Sequence, residues 1–112
     1  MNNEIRVVVK NVGEPPRVQI IENELEVIQG IVGGYIETFP LTDDIYIILN
    51  EEGKLMGLEP NLVVPCHNNQ TEVIVGNVIL VSIEESDFAG LSIEHLIQLT
   101  NMGFDLENWD II

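Results

Sequence analysis

The stretch that decides the fold is Val73–Ile83, VIVGNVILVSI, the most hydrophobic run of the chain. Only Gly76-Asn77 interrupts it, and a glycine within a strand pattern is typical of a β-bulge or a sharp bend. Ile45–Leu49 is nearly as apolar, which is typical of a strand that is buried on both faces. The two runs therefore predict the centre of a sheet that is covered on both sides.

Further strands are predicted on either side of this centre. Glu4–Val12 contains a run of three valines, and Gly13–Pro16 has the composition of a turn. Arg17–Glu22 alternates polar and apolar residues, so we expect it to return antiparallel to the first strand. Tyr35–Leu41 is a further strand, and Pro40 predicts an edge or a bulge at its end because proline cannot donate to the ladder.

The segments between the apolar runs predict loops and one hairpin. Asn50–Lys54 is expected to form a hairpin loop in which Gly53 takes a positive φ, with Leu55–Leu58 as a short partner strand. Glu59–Gln70 contains two prolines and three asparagines and is predicted to be irregular. Glu84–Gly90 is predicted to be an acidic loop.

Two segments carry helix signals. In the first, Asn23–Val32, the spacing of Asn23 and Glu26 matches a capping box, and apolar residues recur on one face. Gly33-Gly34 follows, where a left-handed residue commonly ends a helix. In the second, Ser92–Met102, the serine is the expected N-cap.

The order of these elements predicts the fold class α+β. We expect an antiparallel or mixed sheet of five or six strands with the first helix packed on one face. The second, C-terminal helix would cover an edge or the other face. The length of 112 residues allows one domain, residues 1–112. The apolar tail Phe104–Ile112 has two alternatives: it packs back on the domain, or it contacts a partner.

Charge restricts the function classes. Nineteen Asp and Glu face four Lys and Arg, which gives a net charge of −15 at pH 7. This excludes direct binding of nucleic-acid backbones, which needs a basic face, and argues against anionic membrane surfaces. The single cysteine cannot form an internal disulfide, and there is no secretory signal pattern or long apolar run. We therefore expect an intracellular protein.

The residue types that carry chemistry do not form a recognisable constellation. Cys66 and His67 are adjacent, and adjacent side chains seldom face each other; His95 has no evident link to the thiol. One cysteine and two histidines lack the paired spacing of a zinc site. Asp43-Asp44 and Glu51-Glu52 lack the spacing of a calcium loop. We predict a non-enzymatic protein without catalytic residues, metal or cofactor.

Several short motifs, taken in order, resemble a family of small uncharacterised domains encoded mainly by phages, plasmids and other mobile elements of bacteria, especially Gram-positive ones. The resemblance runs from about Val7 to Val81, and Leu62 departs from it where the family commonly has a basic residue. It implies an accessory gene of a mobile element and the bacterial cytoplasm, with no activity to transfer. The motifs are Val9-Lys10, Gly13-Glu14-Pro15-Pro16, Glu22-Asn23-Glu24-Leu25-Glu26, Val32-Gly33-Gly34-Tyr35-Ile36-Glu37, Asn50-Glu51-Glu52-Gly53-Lys54-Leu55, Gly57-Leu58-Glu59-Pro60-Asn61 and Val73-Ile74-Val75-Gly76.

Small non-enzymatic proteins in that setting often counter host defence, so the first hypothesis is sequestration of a small nucleotide-type immune signal. An aromatic ring could stack on a base, a cation could meet phosphate, and amide or carboxylate groups could read a base or ribose edge. The candidate ligand-binding residues are Tyr35, Glu37, Asn50, Glu51, Lys54, Asn61 and Arg17.

The second hypothesis is an acidic inhibitor that mimics the charge of DNA and occupies a basic groove of a host defence or nucleic-acid-binding protein. We also expect a homo-oligomer, most simply a dimer. The nearly continuous apolar runs Ile45–Leu49 and Val73–Ile83 need cover on both faces, and the tail adds further apolar surface. The expected interface is the tail around Trp109 or an exposed strand edge.

Overall fold

A computed structural model describes residues 3–66 and 68–111. His67, considered above as a base beside Cys66, and Ile112 of the apolar tail lie outside the described residues. The elements are, in chain order, β1 (Glu4–Lys10), β2 (Arg17–Glu22), α1 (Leu25–Val32), β3 (Ile36–Pro40), β4 (Tyr46–Asn50), β5 (Pro60–Pro65), β6 (Thr71–Val75), β7 (Val78–Glu84), β8 (Asp87–Ala89), α2 (Ile93–Asn101) and a C-terminal 3-10 turn (Trp109–Ile111).

The fold is α+β, as predicted. An antiparallel six-stranded sheet has the order β2-β1-β7-β4-β3, with β8 paired to β7, and β5 and β6 form a small second sheet. The apolar run Val73–Ile83 is divided into two strands at Gly76, whose φ is 78°. The predicted bend thus carries the chain from the small sheet, in β6, to the centre of the large one, in β7.

Both faces of the central strands are buried, which confirms the interpretation of the two apolar runs. On one face, Ile48 and Ile79 pack with residues of α1, including Ile28. On the other face, Ile47 and Leu80 belong to a cluster that the buried leucines of α2 complete. One chain therefore supplies a helix to each face of its own sheet.

The two edges of the large sheet differ. β3 is one edge and ends at Pro40, which confirms the prediction from the proline. At the other edge the tail packs back on β2: the Glu107 N–H donates to the Pro16 carbonyl at 2.9 Å, and the Val18 N–H donates to the Glu107 carbonyl at 2.8 Å. Leu106 is buried in the core. The described part of the tail therefore follows the first of the two alternatives.

The second helix begins as predicted and the first does not. The Ser92 hydroxyl accepts from the His95 N–H at 3.1 Å, and His95 Nδ1 accepts from the Ser92 N–H at 3.0 Å. In the first helix the N-cap is Glu24, with no side-chain hydrogen bond. The predicted capping box is wrong because the Asn23 side chain donates instead to the Phe88 carbonyl, at 2.9 Å.

The predicted strand Leu55–Leu58 is wrong, because a series of turns occupies Glu51–Gly57. The positive φ in this loop belongs to Gly57, at 71°, and not to Gly53. Gly53 meets a different requirement, since a Cβ there would lie 2.9 Å from Val75 Cγ2.

Two segments that we predicted as irregular contain strands. Within 59–70, β5 pairs with β6, and its prolines stand at the two ends of the strand, where they cost least. Within 84–90, β7 and β8 form a hairpin. Its central residues, Glu85 and Ser86, both have positive φ, 50° and 71°. Turns of this type usually contain Asn, Asp or Gly at these positions, so the sequence did not indicate the hairpin.

Candidate functional site

The candidate site is the surface around the turn that follows β4, which we term the 51–57 turn. Five of the seven candidate ligand-binding residues lie in or beside this turn. They are Tyr35, Glu37, Asn50, Glu51 and Lys54. The other two lie elsewhere: Arg17 is in β2, at the opposite edge of the sheet from β3, and Asn61 is in β5 of the small sheet.

Asn50 fixes the 51–57 turn from inside. It is 3% exposed, and its Oδ1 accepts from the Glu52 N–H at 2.8 Å. Its Nδ2 donates to the Val32 carbonyl at 3.3 Å and contacts Met56 Sδ at 3.6 Å. The side chain therefore connects the end of α1 to the turn, and these internal contacts occupy its polar atoms.

Close backbone packing holds the turn in place. The Glu51 N–H donates to the Tyr35 carbonyl at 2.8 Å, which connects the turn to the start of β3. A Cβ on Gly34 would lie 3.0 Å from Asn50 Nδ2. A side chain at position 34 would therefore push against the buried asparagine, so the close approach favours glycine there.

The outer face of the 51–57 turn combines exposed apolar side chains with carboxylates. Leu55 is 89% exposed, Tyr35 68% and Met56 56%. Glu51 and Glu52 are also exposed. Exposed tyrosine and methionine side chains are common at protein-binding surfaces, and an exposed leucine adds apolar area beside them. We term Tyr35, Leu55 and Met56 the apolar apex.

Lys54 is not presented to a ligand as a free cation. Its Nζ lies 2.8 Å from Glu72 Oε1, across the hollow between the turn and β6. The hollow also contains Glu37 and has a volume of about 140 Å³. It is small and carries more carboxylates than cations, which disfavours a phosphate there.

Asn61 connects the two sheets. Its Nδ2 donates to the carbonyls of Lys10, at 2.8 Å, and Gly76, at 2.7 Å, and its Oδ1 accepts from Lys10 Nζ at 2.7 Å. This arrangement holds the bend between β6 and β7 against the end of β1. The position that the family motif suggested as ligand-binding has an internal role in this structure.

A larger cleft lies on the other side of the 51–57 turn, and the sequence analysis missed it. We term it the helix-end cleft; it has a volume of about 450 Å³ and lies between the end of α1, Leu58 and the Gly76-Asn77 bend. The Asn77 Oδ1 accepts from the Val12 N–H at 2.9 Å and fixes one wall. The break in the apolar run was the available signal, because it marks where the two sheets separate.

The ionic groups are distributed unequally between surface and interior. All nineteen carboxylates lie in the described residues; Glu72 is half-buried and the others are exposed. Arg6, Lys10 and Arg17 are half-buried. Arg6 Nε donates to the Leu91 carbonyl at 2.8 Å, so its charge is partly used inside the fold. The outward electrostatic field of the domain is therefore strongly negative.

In the part of the chain that the structure describes, no helix is long and apolar enough to span a bilayer. The same residues contain no group of three or more His, Cys, Asp or Glu that could hold a metal ion.

Comparison with known proteins places most of the chain in one family. The family model described as "Domain of unknown function (DUF3846)" matches residues 5–103. No curated protein and no solved structure matches the chain. The match covers both sheets, both helices and the 51–57 turn.

Proposed function

This chain belongs to the DUF3846 family, and we propose that it is a non-enzymatic binding protein whose acidic surface occupies a basic groove of another protein. The observation that carries the proposal is the placement of the charges. All the carboxylates except Glu72 are exposed, whereas three of the four cations are half-buried and the fourth, Lys54, is paired with Glu72. Such a surface attracts a basic groove and accelerates encounter with it.

The apolar apex supports a protein as the partner. Charge alone gives fast but weak and unselective association, and a complex of defined geometry needs anchors that lose their water on binding. Tyr35 is such an anchor and Leu55 adds exposed apolar area. Glu51 and Glu52 lie in the same turn as Leu55, and the Glu51 N–H donates to the Tyr35 carbonyl. Asn50 fixes the backbone of the turn that carries Leu55, so less backbone conformational entropy is lost on binding.

The setting that we propose follows from the motif resemblance given above. The protein is an accessory product of a phage or other mobile element, acts in the cytoplasm of the bacterial host, and counters a defence or nucleic-acid-binding protein. A surface rich in exposed carboxylates serves this purpose because the target's own groove is built for phosphates.

The experiment that tests the proposal is competition with DNA. Proteins of a bacterial lysate are bound to DNA-cellulose, and the purified protein is added at low salt. We expect it to elute one or a few proteins, identified by mass spectrometry, that polyglutamate of equal total charge does not elute. Identical elution by polyglutamate, or no elution, would remove the proposal.

Sequestration of a nucleotide-type ligand is the second candidate. The convergence of Tyr35, Glu37, Glu51 and Lys54 around one turn favours it. The distant position of Arg17 and the pairing of Lys54 oppose it. Calorimetric titration with a panel of cyclic and ADP-ribose nucleotides decides the question, since absence of heat with all of them would exclude the candidate.

Self-association also remains a proposal, now on a different basis. The central strands β4 and β7 do not require a second copy, because α1 covers one face and α2 and the small sheet cover the other within one chain. The support that remains is an exposed cross-strand pair, Val63 and Val73, on the small sheet. Light scattering at physiological salt distinguishes a dimer from a particle of 12.5 kDa.

A further inference from the structure

The helix-end cleft has apolar walls. Val12, Ile31, Met56 and Leu58 line it, and its volume of about 450 Å³ lies within the range of small-ligand pockets. A Cβ on Gly76 would lie 2.7 Å from Leu58 Cδ1, so the wall is closely packed where the leucine meets the bend. An aliphatic chain fits this environment better than a fully polar ligand does.

The end of α1 gives the cleft a negative polar side. The N–H groups of Gly33 and Gly34 both donate to the Gln29 carbonyl, at 2.8 and 3.2 Å. In the described residues, the loop after the helix therefore offers no N–H to the carbonyls of Gly30 and Ile31. The last turn of α1 has no basic residue. The carbonyl end of a helix carries a partial negative charge, so this end attracts donors and cations.

A carboxylate completes this side of the cleft. Glu59 is among the lining residues and is exposed. Among the described residues that line the cleft, Glu59 carries the charge, and none of the others is Lys or Arg. An anionic ligand would meet the helix end and the carboxylate without compensation.

We infer that the helix-end cleft binds an alkyl cation, an aliphatic chain that ends in an ammonium or guanidinium group. In the complex proposed above, this group is a Lys or Arg side chain of the basic partner. The aliphatic stem lies against Ile31 and Leu58, while the charged head lies near Glu59 and the free carbonyls of the helix end. That the cation comes from a protein partner rests on the proposed function. That the cleft prefers an alkyl cation rests on the residues that line it.

The test uses three probes of equal chain length and different charge. Hexylammonium chloride, 1-hexanol and sodium hexanoate are titrated into the isotopically labelled protein at constant salt, and the backbone amide shifts are followed by NMR. We expect hexylammonium to shift Gly30, Gly33, Gly76 and Asn77 and to bind about tenfold more tightly than hexanol. Hexanoate should bind most weakly. Equal affinities for all three probes, or shifts elsewhere in the fold, would overturn the inference.

Two pairs of variants locate the site. Glu59→Gln should weaken hexylammonium binding about threefold to tenfold, whereas Glu94→Gln, which makes the same charge change on α2, should leave it unchanged. Gly30→Leu should abolish binding and Gly30→Ala should preserve it. A Cβ at Gly30 meets nothing within 4 Å, so alanine fits the fold, and the larger leucine side chain is expected to fill the cleft. Unaltered circular dichroism serves as the check on folding, and equal effects of the two glutamine variants would contradict the assignment.

The two proposals can fail separately. If the protein elutes its partner from DNA-cellulose but hexylammonium does not bind, the cleft inference is wrong and the proposed function stands. If hexylammonium binds in the cleft but nothing is eluted, the cleft takes a free alkyl cation and the proposed function is wrong.

Discussion

The two helices are of similar length, but they are held in different ways. The start of α2 is fixed by its own sequence, because Ser92 and His95 satisfy each other's backbone N–H groups. The start of α1 has no side-chain cap, and its end is tied to the 51–57 turn by the Asn50 amide. Local sequence thus fixes the start of α2, whereas α1 is fixed at its end by the local Gly33 and by a distant residue, Asn50. The end of α1 is consequently where the helix-end cleft and the 51–57 turn meet.

The largest expected losses of stability come from truncating core side chains, and they should be similar for the two helices. Ile28 and Leu96 are each almost fully buried, on opposite faces of the sheet. Truncation of either to alanine should lower the free energy of unfolding by about 2–5 kcal/mol. Urea denaturation measures both. A loss confined to one variant would contradict a core that both helices cover.

Asn50→Ala should cause the next largest loss of stability, and it should affect α1 but not α2. It leaves the Glu52 N–H and the Val32 carbonyl without their partner, a loss of about 2–3 kcal/mol. Hydrogen exchange should accelerate in α1 and the 51–57 turn and stay slow in α2. The matched control is Asn68→Ala, an exposed asparagine on the β5–β6 hairpin, which should change stability by less than about 0.5 kcal/mol.

Substitutions at the starts of the two helices should cause smaller and more local losses of stability. Ser92→Ala should cost about 1 kcal/mol and increase exchange in the first turn of α2. Asn23→Ala should cost about as much, through the lost hydrogen bond to the Phe88 carbonyl, but should accelerate exchange in β8 and not in α1. If Asn23→Ala frayed α1 instead, the asparagine would be a cap after all.

The smallest expected effect is a gain. Gly30 lies inside α1, is exposed, and has room for a Cβ. Gly30→Ala should therefore raise stability by about 0.5–1 kcal/mol. Thermal unfolding measures it. A decrease would indicate that the helix end needs the flexibility of glycine.

The parts of the fold that the sequence could predict are those that neighbouring residues determine. The apolar run in β7, the left-handed Gly33 and the Ser92 cap each have a local signature. The strand β5 has none, because its pairing with β6 is decided across a hairpin and its prolines suggested a loop.

The candidate site follows the same rule. Residues that are close in sequence, such as Asn50, Glu51 and Lys54, do gather around one turn. Arg17 does not join them, because only the strand order places β2 and β3 at opposite edges. The structural role of Asn61 depends on Lys10 and Gly76, residues that are far away in the chain, and no local pattern encodes it.

The central claim is that an acidic surface, anchored at the apolar apex, occupies a basic groove. It is tested most directly by measuring the affinity for the protein eluted from DNA-cellulose over a series of salt concentrations, with the original chain and with Leu55→Ala. We predict that the affinity of the original chain falls steeply as salt rises. Leu55→Ala should bind about tenfold more weakly at every salt concentration. Affinity that is independent of salt and unchanged by Leu55→Ala would contradict the account.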